Sequence, residues 1–223
     1  METWRSIARK METDESIQTD VSIPLSRFHF LEDGEIVVKF ARDLFHEKRV
    51  VIFGVPGAFT PTCSNSQVPD FEAAYDDIIA AGVDEVYCIS VNDPYVMNAW
   101  KQHLGVEKVK FIPDGNGFFT RQLGKNVFKS NVGFGVRSWR YAAVINSETA
   151  EIIMAEVDQQ DNCTTDPYEN STPARVLAYL REVSRIDMRE IRELDDRGSD
   201  LEELERLERN LILRKSQLKQ ITE

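Results

Sequence analysis

The residues best suited to chemistry lie in the segment 55–64, VPGAFTPTCS, between an apolar run typical of a buried strand and a run with helical spacing. The first turn of a helix stabilises an anion, so Cys63 is expected to lose its proton more readily than a free cysteine, whose pKa is about 8.5. The hydroxyl of Thr60 can hydrogen-bond the sulfur or an incoming oxygen, and Pro56 and Pro61 stiffen the loop. The pattern indicates a nucleophilic thiolate. A buried, inert cysteine in a turn is the alternative interpretation.

The elements that would position this segment follow an α/β pattern. Apolar runs predict strands at 35–40, 48–55, 85–91, 109–113, 141–145 and 151–157. Helical spacing predicts helices at 64–81, 94–104 and 118–123, and Thr172 with Pro173 opens another. The last two strands flank a five-residue hairpin connection, NSETA. The sum is an α/β sandwich, a mixed sheet with flanking helices.

Composition excludes several classes of protein. The chain has 223 residues, 42% of them hydrophobic, and no stretch approaches the roughly 18 consecutive apolar residues of a membrane span. A formal net charge of −11 argues against nucleic acid as a partner and favours small molecules or proteins. The N-terminal 1–20 lacks a secretory signal, so we expect a flexible leader and a cytoplasmic protein. Isolated histidines and widely spaced cysteines predict no metal site and no cofactor.

The pattern Pro56-x-x-x-Thr60-x-x-Cys63 is the peroxiredoxin motif PxxxTxxC, and its surroundings closely resemble the peroxiredoxin-5 subfamily. The resemblance continues through VPDF (68–71), CISVND (88–93), PDGNGFFT (113–120) and RSWRYA (137–142), and it covers residues 21–181. It implies a thioredoxin-like mixed-sheet sandwich with flanking helices. The implied activity is reduction of hydrogen peroxide, alkyl hydroperoxides or peroxynitrite.

Carried over by position, the resemblance assigns a role to each motif residue. Cys63 is the peroxidatic cysteine, Pro56 shields the site and Thr60 helps to place the peroxide. The family's arginine falls on Arg140 rather than Arg137, because Arg140 directly precedes the aromatic residue that opens a strand. A guanidinium keeps its charge and offers donors in a fixed fork, which suits charge that moves along the S–O–O line.

Two phenylalanines and the assembly are also implied by the resemblance. Phe59 and Phe119 would line the apolar approach to Cys63, although an aromatic residue at such spacing is equally well explained as core. Subfamily resemblance further implies a homodimer packed through faces near the active site.

Attack on a peroxide leaves Cys63 as a sulfenic acid, which a second thiol must reduce. Cys88 lies in an apolar strand and is expected to be a structural thiol. Cys163 lies in a polar loop and is the possible resolving cysteine, which would pair with thioredoxin as reductant. Some subfamily members instead use glutathione with glutaredoxin, and we favour this external route.

The C-terminal 182–223 is charged and free of aromatic residues and cysteine, so it is expected to form a helical extension rather than core or a redox domain. Leucines at heptad-like spacing and Ser199 with Glu202 predict a helix, a break after Gly198 and a second helix, packed on its own domain or in self-association. The alternative function is a peroxide-responsive sensor or scaffold whose tail binds a partner. A thioredoxin-type oxidoreductase is disfavoured, because Thr60 stands where a CxxC pair would have its first cysteine.

Overall fold

The computed structural model describes residues 17–147 and 149–196, with side chains up to residue 185. The strands in this part of the chain are β1 (Ile17–Ser22), β2 (Arg27–Glu32), β3 (Glu35–Phe40), β4 (Arg49–Val55), β5 (Glu85–Ser90), β6 (Lys110–Pro113), β7 (Asn126–Lys129), β8 (Gly135–Ser138), β9 (Tyr141–Asn146) and β10 (Thr149–Ala155). The α-helices are α1 (Ala41–Phe45), α2 (Val68–Ala73), α3 (Tyr75–Ala80), α4 (Pro94–Leu104), α5 (Phe118–Gln122) and α6 (Pro173–Asp196).

The central sheet is mixed, which confirms the predicted α/β sandwich. Its strand order is β1-β10-β9-β4-β5-β6, with β4, β5 and β6 parallel and the other pairs antiparallel. Every residue of β4 and β5 is buried. Strands covered on both faces have no side that must be polar, which explains their almost continuous apolar sequences. Hairpins β2–β3 and β7–β8 form two smaller sheets.

Side chains from the two faces of the sheet build two hydrophobic cores. The first core contains Cys63, Cys88 and Trp100 and is covered by α2, α3, α4 and α6. The second contains Tyr141 and Phe119 and is covered by α1, α5 and β2. Alternation along β4 separates the two, since Val51 and Phe53 enter the first core while neighbouring strand residues enter the second.

The pairing of β9 with β4 places the start of one strand against the end of the other. Gly54 pairs with Tyr141 in the antiparallel register. A Cβ atom on Gly54 would lie 2.1 Å from Tyr141 Cε1, so only glycine allows this close approach. As a result Arg140, the residue before β9, stands beside the loop that leaves β4.

The helix predicted over 64–81 is interrupted. The chain is helical from Pro61, widens into a π-helical turn at Cys63–Gln67, and continues as α2 until Ala74 separates α2 from α3. The N–H of Val68 bonds the carbonyl of Cys63, five residues back. Pro69 has no N–H to donate one turn back, which accounts for the departure from the α-helical ladder.

Several other elements differ from the prediction. β9 and β10 extend to Asn146 and Thr149, so the connection is shorter than the five residues expected. β1, β2, β7 and β8 were not predicted, and of these β1, β7 and β8 carry at most two apolar residues each. β1 crosses the predicted boundary at 20/21, and α6 crosses the one at 181/182. The predicted break at Gly198 and the helix after it lie outside the described residues.

No helix within the described ranges is both long and apolar enough to cross a lipid bilayer.

Candidate active site

Cys63 lies in the first turn of the helix that follows β4, and its side chain is fully buried in the first core. The first turn of the helix is formed by a backbone hydrogen bond in which the N–H of Ser64 donates to the carbonyl of Thr60 at 2.9 Å. The side chain of Asn92 holds the preceding loop, because its Oδ1 accepts from the N–H of Ala58 at 3.0 Å. The sulfur therefore lies at a helix N-terminus, where an anion is stabilised.

Arg140 reaches the sulfur from the neighbouring strand. Its Nη1 donates toward Cys63 Sγ at 3.5 Å, and the side chain is only 1% exposed. These two residues lie 77 positions apart in the sequence. The antiparallel pairing of β9 with β4 brings them together.

Arg140 has further hydrogen-bond partners. Nη1 donates to Gln67 Oε1 at 2.5 Å, and Nε donates to the carbonyl of Pro167 at 2.9 Å. Nη2 forms an ion pair with Asp166. Burial alone would lower the pKa of Arg140, but the negative charges of Cys63 and Asp166 outweigh burial and raise it. The guanidinium is therefore a permanent positive charge in a fixed orientation.

Thr60 and Pro56 lie in the loop between β4 and the helix. Thr60 Oγ1 donates its proton to the carbonyl of Gly57 at 2.8 Å, so its lone pairs are left to accept a hydrogen bond from a ligand. Thr60 is partly exposed, whereas Pro56 is buried directly after the strand.

The two phenylalanines predicted to line the approach to Cys63 lie in different places. Phe59 is 51% exposed, at a positive φ of 63°, with its ring 6.4 Å from that of Trp100. Phe119 is fully buried in the second core, 5.6 Å from the ring of Phe28. For Phe119 the structure therefore favours the alternative interpretation, a core residue, because the sheet separates its core from that of Cys63.

Arg137, the other arginine of the RSWRY segment, bonds two backbone carbonyls rather than the sulfur. Its Nη1 donates to the carbonyl of Val91 at 2.6 Å, and its Nε donates to the carbonyl of Phe134 at 3.1 Å. These bonds tie β8 to the end of β5. A structural role therefore accounts for Arg137.

The other two cysteines are free thiols in contrasting surroundings. Cys88 is fully buried, and burial together with the nearby charge of Cys63 raises the pKa of its thiol well above the usual value. Such a thiol stays protonated and unreactive. Cys163 is partly buried against the second core, with its sulfur 2.9 Å from Thr165 Oγ1. In this conformation Cys63 and Cys163 belong to opposite faces of the sheet.

Sequence reasoning missed the residues that hold Arg140. Gln67 lies one helical turn after Cys63, so its spacing could have identified it. The other partners belong to a polar loop and are Asp166, Pro167 and Tyr168. In such a loop a carboxylate is expected to be exposed to solvent, and the sequence spacing does not indicate Arg140 as its partner.

The arrangement is suited to nucleophilic displacement on a small molecule. A sulfur at a helix N-terminus supplies the electron pair, and a guanidinium beside it meets the negative charge that develops. The described part of the chain contains no group of three or more His, Cys, Asp or Glu residues that could hold a metal ion.

Comparison with families and curated proteins gives consistent results. The family model described as Redoxin matches residues 19–171. A peroxiredoxin of Sinorhizobium fredii, y4vD, is 55% identical over 144 residues, which are 65% of this chain and 77% of that protein.

Solved structures agree with the sequence relatives. The antioxidant protein of Plasmodium falciparum, a 1-Cys peroxiredoxin, is 34% identical with a TM-score of 0.71 over 74% of this chain and 99% of its own. A reduced peroxiredoxin of Vibrio vulnificus in complex with hydrogen peroxide is 32% identical with a TM-score of 0.66 over 73% and 98%. Peroxiredoxin 5 from Alvinella pompejana is 26% identical with a TM-score of 0.62 over 74% and 98%.

Proposed function

Because this chain belongs to the peroxiredoxins, which are thiol peroxidases, we propose that it reduces hydrogen peroxide and alkyl hydroperoxides at Cys63. The observation that carries this proposal is the 3.5 Å contact between Arg140 Nη1 and Cys63 Sγ, beside the loop of the PxxxTxxC motif. The neighbour solved in complex with hydrogen peroxide supports the choice of substrate.

In the first step the Cys63 thiolate attacks one oxygen of the peroxide. An S–O bond forms and the O–O bond breaks, which oxidises the sulfur to sulfenic acid and releases hydroxide or alkoxide. That product takes a proton to become water or an alcohol. Arg140, whose Nη1 lies 3.5 Å from Cys63 Sγ, is proposed to donate to the peroxide oxygens as well and to stabilise negative charge as that charge moves along the S–O–O line.

Thr60 is proposed to align the peroxide. Its proton is committed to the carbonyl of Gly57, so it can accept the hydrogen bond of the peroxide's O–H. We expect Thr60→Val to lower the kcat/KM for hydrogen peroxide by about 10²-fold, because the methyl group cannot accept a hydrogen bond. Thr60→Ser, which keeps the hydroxyl, is the matched control and should retain most of the rate. Equal rates for valine and serine would remove Thr60 from the mechanism.

In the second step a thiol attacks the sulfenic sulfur, so a disulfide forms and water leaves. We propose that this thiol comes mainly from glutathione, with glutaredoxin, and that Cys163 with thioredoxin is the alternative. The placement of Cys163 against the second core and the 1-Cys peroxiredoxin among the structural neighbours support the external route. Because Cys63 is fully buried, its turn must open before a bulky thiol reaches the sulfur.

The test is intact mass with peptide mapping after one equivalent of hydrogen peroxide, on fully reduced protein. We expect sulfenic acid, trapped with dimedone, on Cys63 alone. A disulfide between Cys63 and Cys163 would establish a self-resolving enzyme that uses thioredoxin, and it should disappear in the Cys163→Ser variant. Unmodified Cys63 would contradict the proposed function itself.

We propose that the active protein is a homodimer and that it is located in the cytoplasm. The surface supports a subunit contact on the β7–β8 side, where large apolar side chains are exposed: Phe128, Val132, Phe134 and Val136. Whether the C-terminal 182–223 takes part in self-association stays a prediction, since most of it lies outside the described residues.

A further inference from the structure

Arg140 is held by three consecutive residues of the loop between β10 and α6, Asp166, Pro167 and Tyr168, which we call the arginine clamp. Asp166 pairs with Nη2, and the carbonyl of Pro167 accepts from Nε at 2.9 Å. The ring centroid of Tyr168 lies 5.8 Å from the guanidinium carbon, within the range of a cation–π contact. The clamp thus uses the two nitrogens that do not bond Cys63.

We propose that Asp166 is a positioning residue of the peroxidase reaction and acts through Arg140. The inference rests on the proposed function, in which Arg140 orients the peroxide. A guanidinium is planar and its donors are fixed relative to one another. Holding Nε and Nη2 therefore sets the direction of Nη1, the nitrogen that faces the sulfur. A misplacement of about 1 Å at such a group costs about 10²-fold in rate.

The clamp is built onto the helix that carries the peroxidatic cysteine. The hydroxyl of Tyr168 donates to Asp70 Oδ2 at 3.0 Å, and Asp70 belongs to α2. On the other side, Glu156 Oε1 accepts from the backbone N–H groups of residues 169–171 at 2.9–3.0 Å. The sulfur, the guanidinium and the clamp are therefore joined by one network of contacts.

Among the residues of the clamp, Asp166 is the one whose removal should change the orientation of the Arg140 guanidinium more than the stability of the fold. Its ion pair with Arg140 is charge-assisted, which makes it about twice as strong as a neutral hydrogen bond. The Asp166 side chain is 46% exposed whereas that of Arg140 is 1% exposed. In a shortened variant water can satisfy Nη2, but mobile water does not fix the direction of the fork.

The experiment compares two reactions of Cys63 in Asp166→Ala, Asp166→Asn and Asp166→Glu. The first reaction is oxidation by hydrogen peroxide, followed by tryptophan fluorescence, to which Trp100 contributes close to the cysteine because its Nε1 donates to Ser64 Oγ at 3.0 Å. The second is alkylation by iodoacetamide, which needs the thiolate but no alignment of an O–O bond. We expect Asp166→Ala to slow oxidation by about 10- to 100-fold and alkylation by less than about threefold.

Matched variants separate the clamp from general disturbance of its loop. Glu169→Gln removes an exposed carboxylate three residues away. Asp161→Asn weakens a bond that the Asp161 carboxylate accepts from the N–H of Phe128. Both should oxidise at the wild-type rate. Asp166→Asn should lie between alanine and wild type, since it keeps an acceptor without the charge, and Asp166→Glu should recover part of the loss.

Two results would contradict the proposed positioning role of Asp166. One is oxidation at the wild-type rate in Asp166→Ala, and the other is an equal loss of oxidation and alkylation, which indicates damage to Cys63. Failure of the proposed function gives a different result, namely slow oxidation of the wild-type protein or wild-type kinetics in Arg140→Lys. The two failures are therefore distinguishable.

Discussion

Replacing Cys63 with serine is expected to lower peroxide consumption by more than about 10⁴-fold, to the rate of the buffer and reductant alone. Serine fits the fully buried position, because it is no larger than cysteine. Its hydroxyl stays protonated near neutral pH and is a far weaker nucleophile than a thiolate. The measurement is loss of hydrogen peroxide with dithiothreitol as reductant, which assumes nothing about the natural reductant.

The control for this experiment is Cys88→Ala. Cys88 shares the first core with Cys63, but its raised pKa keeps the thiol protonated. Its removal should change the rate by less than about threefold, apart from some loss of stability for the shortened side chain. If Cys63→Ser kept a tenth of the activity, or if Cys88→Ala abolished it, Cys63 would not be the nucleophile.

The sequence predicted those parts of the site that are local. Pro56, Thr60 and Cys63 fall within eight residues, so a strand end, a loop and a helix start determine their relative positions. The buried strands were predictable for a related reason, since a strand covered on both faces must be apolar throughout. Placing Arg140 needed the resemblance, because spacing alone does not show that β9 pairs with β4.

The unpredicted parts depend on contacts between distant segments. Asp166 reads as one acidic residue in a polar loop, and only the folded chain shows it against Arg140, 26 residues earlier. For Phe119 the sequence left two interpretations open, substrate approach and core, and only the folded chain shows that it lies across the sheet from Cys63. The π-helical turn was also missed, because helical periodicity does not distinguish i+4 from i+5 bonding.

Burial of Cys63 determines which reactants can reach its sulfur. A sulfur with no exposed surface is accessible to a small peroxide after slight adjustment of its loop, but not to glutathione or a protein thiol. The interrupted helix around Cys63 is the natural place for opening, since a π-helical turn lies between the cysteine and α2.

Arg140→Lys should lower the kcat/KM for hydrogen peroxide by about 10²- to 10³-fold, although the positive charge is kept. The guanidinium donates hydrogen bonds, from separate N–H groups in one plane, to four acceptors: Cys63, Gln67, Asp166 and the carbonyl of Pro167. A single ammonium nitrogen cannot lie within hydrogen-bond distance of all four acceptors at once. Burial also lowers the pKa of a lysine, which weakens the charge that must meet the leaving oxygen.

The matched control is Arg137→Lys, with oxidation of both variants measured by tryptophan fluorescence. Arg137 bonds two backbone carbonyls of β5's following loop and the β7–β8 connection, and a lysine can replace part of that bonding without a change at the sulfur. Its rate should stay within about threefold of wild type. If Arg137→Lys were slow and Arg140→Lys were normal, Arg137 rather than Arg140 would be the arginine that acts on the peroxide. If both were normal, charge near Cys63 would matter less than the helix N-terminus, and the 3.5 Å contact would not carry the mechanism.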